Sequence, residues 1–155
     1  MNQAELSRFL IKAKKATYAS GEEGRTLIDG SRELVYDEGS LFYRDRYFGF
    51  NPFSGEEVVF EDDEAVWVMN YHGGMTSNRT SPGGVYKFLR VALGGVEEQT
   101  PFRGPESFSV GNFSYASCTK GDLSSFTGKE TIFYIGEGVY TLVFHGGFVK
   151  GRERA

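Results

Sequence analysis

The stretch Gly55-Glu56-Glu57-Val58-Val59-Phe60-Glu61-Asp62-Asp63-Glu64-Ala65-Val66-Trp67-Val68-Met69-Asn70-Tyr71-His72-Gly73-Gly74 decides the reading of the fold. It recurs without gaps 73 residues further on, as Gly128-Lys129-Glu130-Thr131-Ile132-Phe133-Tyr134-Ile135-Gly136-Glu137-Gly138-Val139-Tyr140-Thr141-Leu142-Val143-Phe144-His145-Gly146-Gly147. Identities fall at Gly55/Gly128, Glu57/Glu130, Phe60/Phe133, Glu64/Glu137, Val66/Val139, His72/His145, Gly73/Gly146 and Gly74/Gly147. Like replaces like at Val59/Ile132, Trp67/Tyr140, Met69/Leu142 and Tyr71/Phe144. Chance would supply roughly one or two identities in such a window, so the recurrence reads as an internal repeat. Each copy has hairpin character: two β-rich runs, Glu57–Glu61 with Ala65–Tyr71 and Thr131–Ile135 with Val139–His145, joined by turn residues and closed by His-Gly-Gly.

Outward from the hairpins lie two helices. Asn2 to Ala19 carries a cap at Asn2, Glu5 three residues later, an apolar stripe of Leu6, Phe9, Leu10 and Ala13, and lysines in its last turns. The second helix starts at Ser81 with Pro82 first, turns Val85, Phe88, Leu89 and Ala92 inward and stops near Gly94-Gly95. Leu6–Leu10 aligns with Val85–Leu89, and Gly39–Tyr43 with Gly111–Tyr115. Further strands are expected at Thr26–Ile28, Glu33–Tyr36, Leu41–Phe50, Glu106–Phe108 and Asn112–Cys118. Residues 73–84 read as a mid-chain linker and 151–155 as a charged tail. The pattern predicts a single α+β domain over 1–155, made of two similar halves, about 1–78 and 79–150. A half of this size is marginal as its own core, so each helix should pack on one shared antiparallel sheet, with a ligand cleft near a pseudo-twofold axis.

Composition narrows the function classes. Of 155 residues 39% are hydrophobic, with 14 Phe, 9 Tyr and one Trp, which supports a packed core. The formal net charge of −4, with both signs interspersed, argues against broad nucleic-acid binding. Cys118 is the single cysteine, expected in the core, and excludes an intramolecular disulfide or a thiol-rich zinc site. No apolar run approaches the roughly 20 residues that span a bilayer. Met1 to Glu5 lacks the basic start and apolar run of a signal peptide, so a cytoplasmic location without membrane contact is expected.

The runs Tyr43-Arg44-Asp45-Arg46-Tyr47-Phe48-Gly49-Phe50-Asn51-Pro52-Phe53, Trp67-Val68-Met69-Asn70-Tyr71, Pro101-Phe102-Arg103-Gly104-Pro105 and Phe144-His145-Gly146-Gly147 resemble a family of small bacterial and archaeal proteins known only as a domain of unknown function. Members of that family also follow Xre-type helix-turn-helix domains in transcription regulators. The resemblance spans nearly the whole chain and implies no established activity, cofactor or catalytic residue. This sequence starts directly at its amphipathic helix, so no DNA-reading module of its own is expected.

Candidate ligand-binding residues come from dense polar and aromatic clusters. Arg44, Asp45 and Arg46 stand beside Tyr47, and a guanidinium pair among aromatic walls suits an anionic or carbonyl-bearing ligand. Arg103, in its Pro-flanked loop, could converge on them. Trp67 and Tyr71 add stacking surface, and Glu57 is a candidate acid or base. His72 and His145, the only histidines, occupy equivalent repeat positions; with Glu57 and Glu130 they form the sole metal-like constellation, and no metal or other cofactor is expected. No nucleophile elbow or phosphate loop occurs. The favoured expectation is a non-enzymatic ligand-binding or sensor-type module with an aromatic, Arg-lined pocket and a small molecule as partner. The alternatives are a hydrolase or isomerase using Glu57, Asp45 and a histidine, and a protein-interaction module; the pattern is also compatible with a homodimer. Arg46 is further expected to be partly buried and paired with Glu33, Asp37 or Glu57.

Overall fold

Asn2 caps the first helix through a reciprocal pair of bonds with Glu5, and the helix α1 runs Gln3–Ala16. It ends short of the expected Ala19. Thr17 leaves helical backbone space and donates its hydroxyl to the Ala13 carbonyl at 2.7 Å, and a short 3-10 turn, Tyr18–Ser20, follows. Helix α2, Pro82–Leu93, begins at the expected cap, Ser81, whose side chain accepts from the Gly84 amide. Between and after the helices the computed structural model, which describes residues 1–152, forms one nine-stranded sheet. Its strands are β1 (Arg25–Thr26), β2 (Arg32–Glu38), β3 (Leu41–Gly49), β4 (Phe53–Glu61) and β5 (Glu64–Met75) before α2. After α2 come β6 (Ser107–Val110), β7 (Phe113–Asp122), β8 (Ser125–Tyr134) and β9 (Glu137–Phe148).

The spatial order is β1-β2-β3-β4-β5-β9-β8-β7-β6, with every pair antiparallel. Each group of strands is a meander whose neighbours in space are neighbours in sequence, and the two meanders meet where β5 pairs β9. Sheet outweighs helix, so α+β describes the fold only loosely. Both helices lie on the same sheet face. Leu6, Phe9, Leu10 and Ala13 of α1 and Val85, Phe88, Leu89 and Ala92 of α2 share one core with Tyr43, Trp67, Met69, Tyr140, Leu142 and Phe144. Alternation along each strand sends the intervening residues to the opposite, open face.

Several expectations change. The His-Gly-Gly segments do not end their hairpins: Gly73, Gly74, Gly146 and Gly147 lie inside the paired region, because the two longest strands run past them to pair with each other. The linker read at 73–84 therefore shrinks to the segment after Met75. Of the run expected at Thr26–Ile28 only Thr26 is in a strand, Arg25–Thr26, and Ile28 is fully exposed. Cys118 is exposed, since the alternation that buries Tyr115 turns position 118 to the other face. The last three residues of the charged tail, 153–155, lie outside the described residues. No helix among the described residues is long and apolar enough to cross a membrane.

Candidate functional site

On the helix-covered face, two glutamates stand at equivalent positions of the two hairpins. Glu57 on β4 is 3% exposed and Glu130 on β8 is fully buried, and an isolated carboxylate at such depth is strongly disfavoured. Each has recruited donors. The Lys14 ammonium donates to both Glu57 oxygens at 2.8 and 2.6 Å and to the Phe102 carbonyl at 2.7 Å, while Tyr43 donates its hydroxyl to Glu57. Arg103 holds Glu130 through Nε at 3.3 Å and Nη2 at 2.7 Å, with Tyr115 and Tyr140 donating to the same carboxylate at 2.7 and 2.9 Å. Burial pulls the Lys14 pKa down against the pull of Glu57. Burial also opposes the Arg103 charge, but Glu130 and the surrounding tyrosines more than offset it and hold the pKa well above its ordinary value. The Pro101–Pro105 loop is anchored at three points, the Phe102 carbonyl, the Arg103 side chain and the Gly104 amide, which donates to the Tyr115 hydroxyl at 3.0 Å.

Asp45 is the third buried carboxyl, 4% exposed and directly opposite Glu57 in the β3–β4 ladder. It has no cation within ion-pair distance among the described residues; its hydrogen bond is from the Tyr71 hydroxyl to Oδ1 at 2.5 Å. Burial first, then the adjacent Glu57 charge, push its pKa up to about 7. Asp45 borders a cavity of about 140 Å³. Sheet residues Tyr47, Phe53 and Tyr71 wall it on one side. Tyr18 of the 3-10 turn, Tyr86 of α2 and Phe50 after β3 wall the other, with Arg103 inside and Arg90 at the solvent end. Tyr86 and Arg90 are four residues apart on α2 and so share one flank of the helix. The rings pack edge to face: Tyr86 lies 5.0 Å from Phe50, 5.8 Å from Phe53 and 6.0 Å from Tyr140. Burial lifts the Tyr18 pKa to about 12. Behind Asp45 a void of about 20 Å³ runs to Lys14, Glu57 and Arg103. A larger groove of about 620 Å³ beside β7 has one buried charge, Arg103, which is already committed to Glu130.

The sequence-predicted residues divide by sheet face. Asp45, Tyr47, Tyr71 and Arg103 meet at the cavity, and Glu57 stands one strand behind Asp45. Trp67 is core, stacked 5.7 Å from Phe126 with its indole donating to the Leu123 carbonyl at 3.1 Å. Arg44 and Arg46 point to the open face and do not join Arg103. Arg44 stacks 5.3 Å from the Phe60 ring centroid. Arg46 pairs with Asp29 and donates to Ser31 at 3.0 Å; none of the three acids expected of it, Glu33, Asp37 and Glu57, is its partner. Glu33 pairs with Arg25 instead, and Glu57 faces the other side of the sheet. His72 and His145 are exposed on the open face as diagonal neighbours of the central strand pair, so neither histidine reaches Glu57, Glu130 or Asp45. The hydrolase or isomerase constellation of Glu57, Asp45 and a histidine is not assembled.

Sequence reading missed Tyr18, Tyr86, Arg90 and the role of Lys14. For Lys14 a signal existed: it lies four residues after Leu10 on the apolar stripe of α1, where a lysine implies a buried acid. Tyr18 and Tyr86 carried none, because they enter the site only through the packing of both helices on the sheet.

A family model described as Domain of unknown function (DUF5680) matches residues 45–149, from Asp45 itself to the residue after the last strand. The chain belongs to this family. The matched span contains the sheet residues of the cavity, α2 and both buried glutamates, whereas Lys14 and Tyr18 precede it. No curated protein and no solved structure matches the chain.

Proposed function

We propose that this DUF5680 chain is a non-enzymatic, sensor-type module that binds a small molecule in the cavity between the sheet and α2. The carrying observation is a cavity of about 140 Å³, walled by aromatic rings, with a buried carboxyl at its base that has no cation partner among the described residues. A dry cavity of about 150 Å³ is known to take a benzene molecule, so the ligand core is of single-ring size. Convergent polar groups in an aromatic pocket are the usual anatomy of a small-molecule site. The resemblance to domains that follow helix-turn-helix segments supports a sensing role, with ligand occupancy as the input.

The same reading takes the two halves as products of duplication. The ladders support it: β5 and β9 pair Trp67 with Phe148 and Met75 with Tyr140, equivalent pairs related by a twofold through Tyr71 and Phe144. The irregularity between Val59 and Phe60 recurs between Ile132 and Phe133, the aligned positions. The experiment for function is ligand-observed NMR with metabolite mixtures on the wild type and Tyr86→Ala. Binding by one chemical class that is lost in the variant is expected. Absence of any binder, or binding indifferent to Tyr86, rejects the proposal.

A further inference from the structure

Five Asp, Glu, Lys or Arg side chains are buried among the described residues on the helix-covered face: Lys14 and Arg103 against Asp45, Glu57 and Glu130. The two cations are spent on the two glutamates, each through two hydrogen bonds. One carboxyl is left over, and it is the one that lines the cavity. Tyr71 satisfies Asp45 Oδ1, and Oδ2 makes no hydrogen bond among the described residues. Around it stand the rings of Tyr18, Tyr47, Phe53 and Tyr86, whose negative π faces and hydroxyl oxygens favour a positive charge. A guanidinium already lies 5.4 Å from the Tyr71 ring centroid, neutralised by Glu130. An anionic ligand would meet no unpaired buried cation; Arg90 is exposed at the mouth, where solvent and salt screen it.

We propose that the cavity takes a protonated amine carrying about one ring, its ammonium on Asp45 Oδ2 and its apolar part among the aromatic walls. This rests on the binding function proposed above and specifies its ligand class.

The test compares benzylamine, its neutral isostere benzyl alcohol, and benzoate, by NMR titration of the full chain at constant salt. Benzylamine is expected to bind at least about tenfold more tightly than either analogue, a preference of the size that one charge-assisted contact supplies. The largest shifts should fall at Tyr18, Tyr71 and Tyr86. In Asp45→Asn the preference over benzyl alcohol should vanish while the alcohol still binds. If benzyl alcohol or benzoate binds the wild type as tightly as benzylamine, the amine assignment is overturned and the pocket reading stands. If none of the probes perturbs the cavity residues, both fall. Should Asp45→Asn not fold, the wild-type ranking alone decides.

Discussion

The two meanders solve the same burial problem with different chemistry. At Glu57 the donors are a flexible ammonium and one tyrosine; at Glu130 they are a bidentate guanidinium and two tyrosines. The ladder partner of Glu57 is Asp45, whereas the partner of Glu130 is Ser117. Tyr71, which donates to Asp45, is matched in the second hairpin by Phe144, which has no hydroxyl to give. The buried cluster of the second half is thus closed, its one carboxylate matched by one cation. The first carries one carboxyl too many and opens it to a cavity. Buried charges balance on one side of the seam, and on the other an unmatched carboxyl borders the cavity.

The largest expected effect breaks the closed side. Arg103→Met leaves Glu130 without its cation and should cost about 3–5 kcal/mol in urea melts, partly recovered in Arg103→Met/Glu130→Gln. A midpoint unchanged from wild type would mean that the cluster is not what holds this half.

The next effect tests the excess on the open side. A carboxyl raised from 3.8 to about 7 keeps its proton in the folded state after the unfolded chain has released it. Stability therefore falls as pH rises from about 4 through about 7, and the loss is complete above that. Asp45→Asn keeps an acceptor for Tyr71 and removes the titration, so its advantage over wild type should grow across that window, to at most about 4 kcal/mol at pH 8. Parallel stability–pH curves for the two proteins would contradict the assignment.

A matched pair of glycines sharpens the comparison further. A Cβ at Gly55 would collide with the Tyr71 ring, and one at Gly128 with the Phe144 ring. Gly55→Ala and Gly128→Ala should each cost about 1–3 kcal/mol by overpacking. Only Gly55→Ala displaces the partner of Asp45, so only it should also abolish probe binding. Equal loss of binding in both would erase the distinction between the halves. The smallest effect is expected at Arg46→Ala, whose pair with Asp29 sits half-exposed on the open face, and whose urea midpoint should stay near wild type.

Much of the architecture was legible because hairpin and helix signals are local. Asp62-Asp63 and Ile135-Gly136 take positive φ at the tips of the two repeat hairpins, and Asn2, Ser81 and Pro82 mark the helix starts. The path of the central strands was not local. His-Gly-Gly looked like a terminus because glycine usually is one, and only the pairing of β5 with β9 keeps it extended. The site was half legible for the same reason. Arg44, Asp45 and Arg46 are consecutive, so alternation must split them between faces, and sequence did not say which face the helices cover. Once α1 and α2 cover the side of Tyr43, Asp45 goes to the cavity and both arginines go outside.

The seam between β5 and β9 also has a kinetic meaning. The other sheet contacts join strands adjacent in the chain, whereas Tyr71 and Phe144 meet across a separation of 73 residues. Closure entropy grows slowly with loop length, but it must be met before the contact rewards it. The search for the native state is therefore concentrated in one docking event between two locally assembled meanders. Tyr71, a wall of the cavity, lies at the centre of that event, so the cavity takes shape when the halves join.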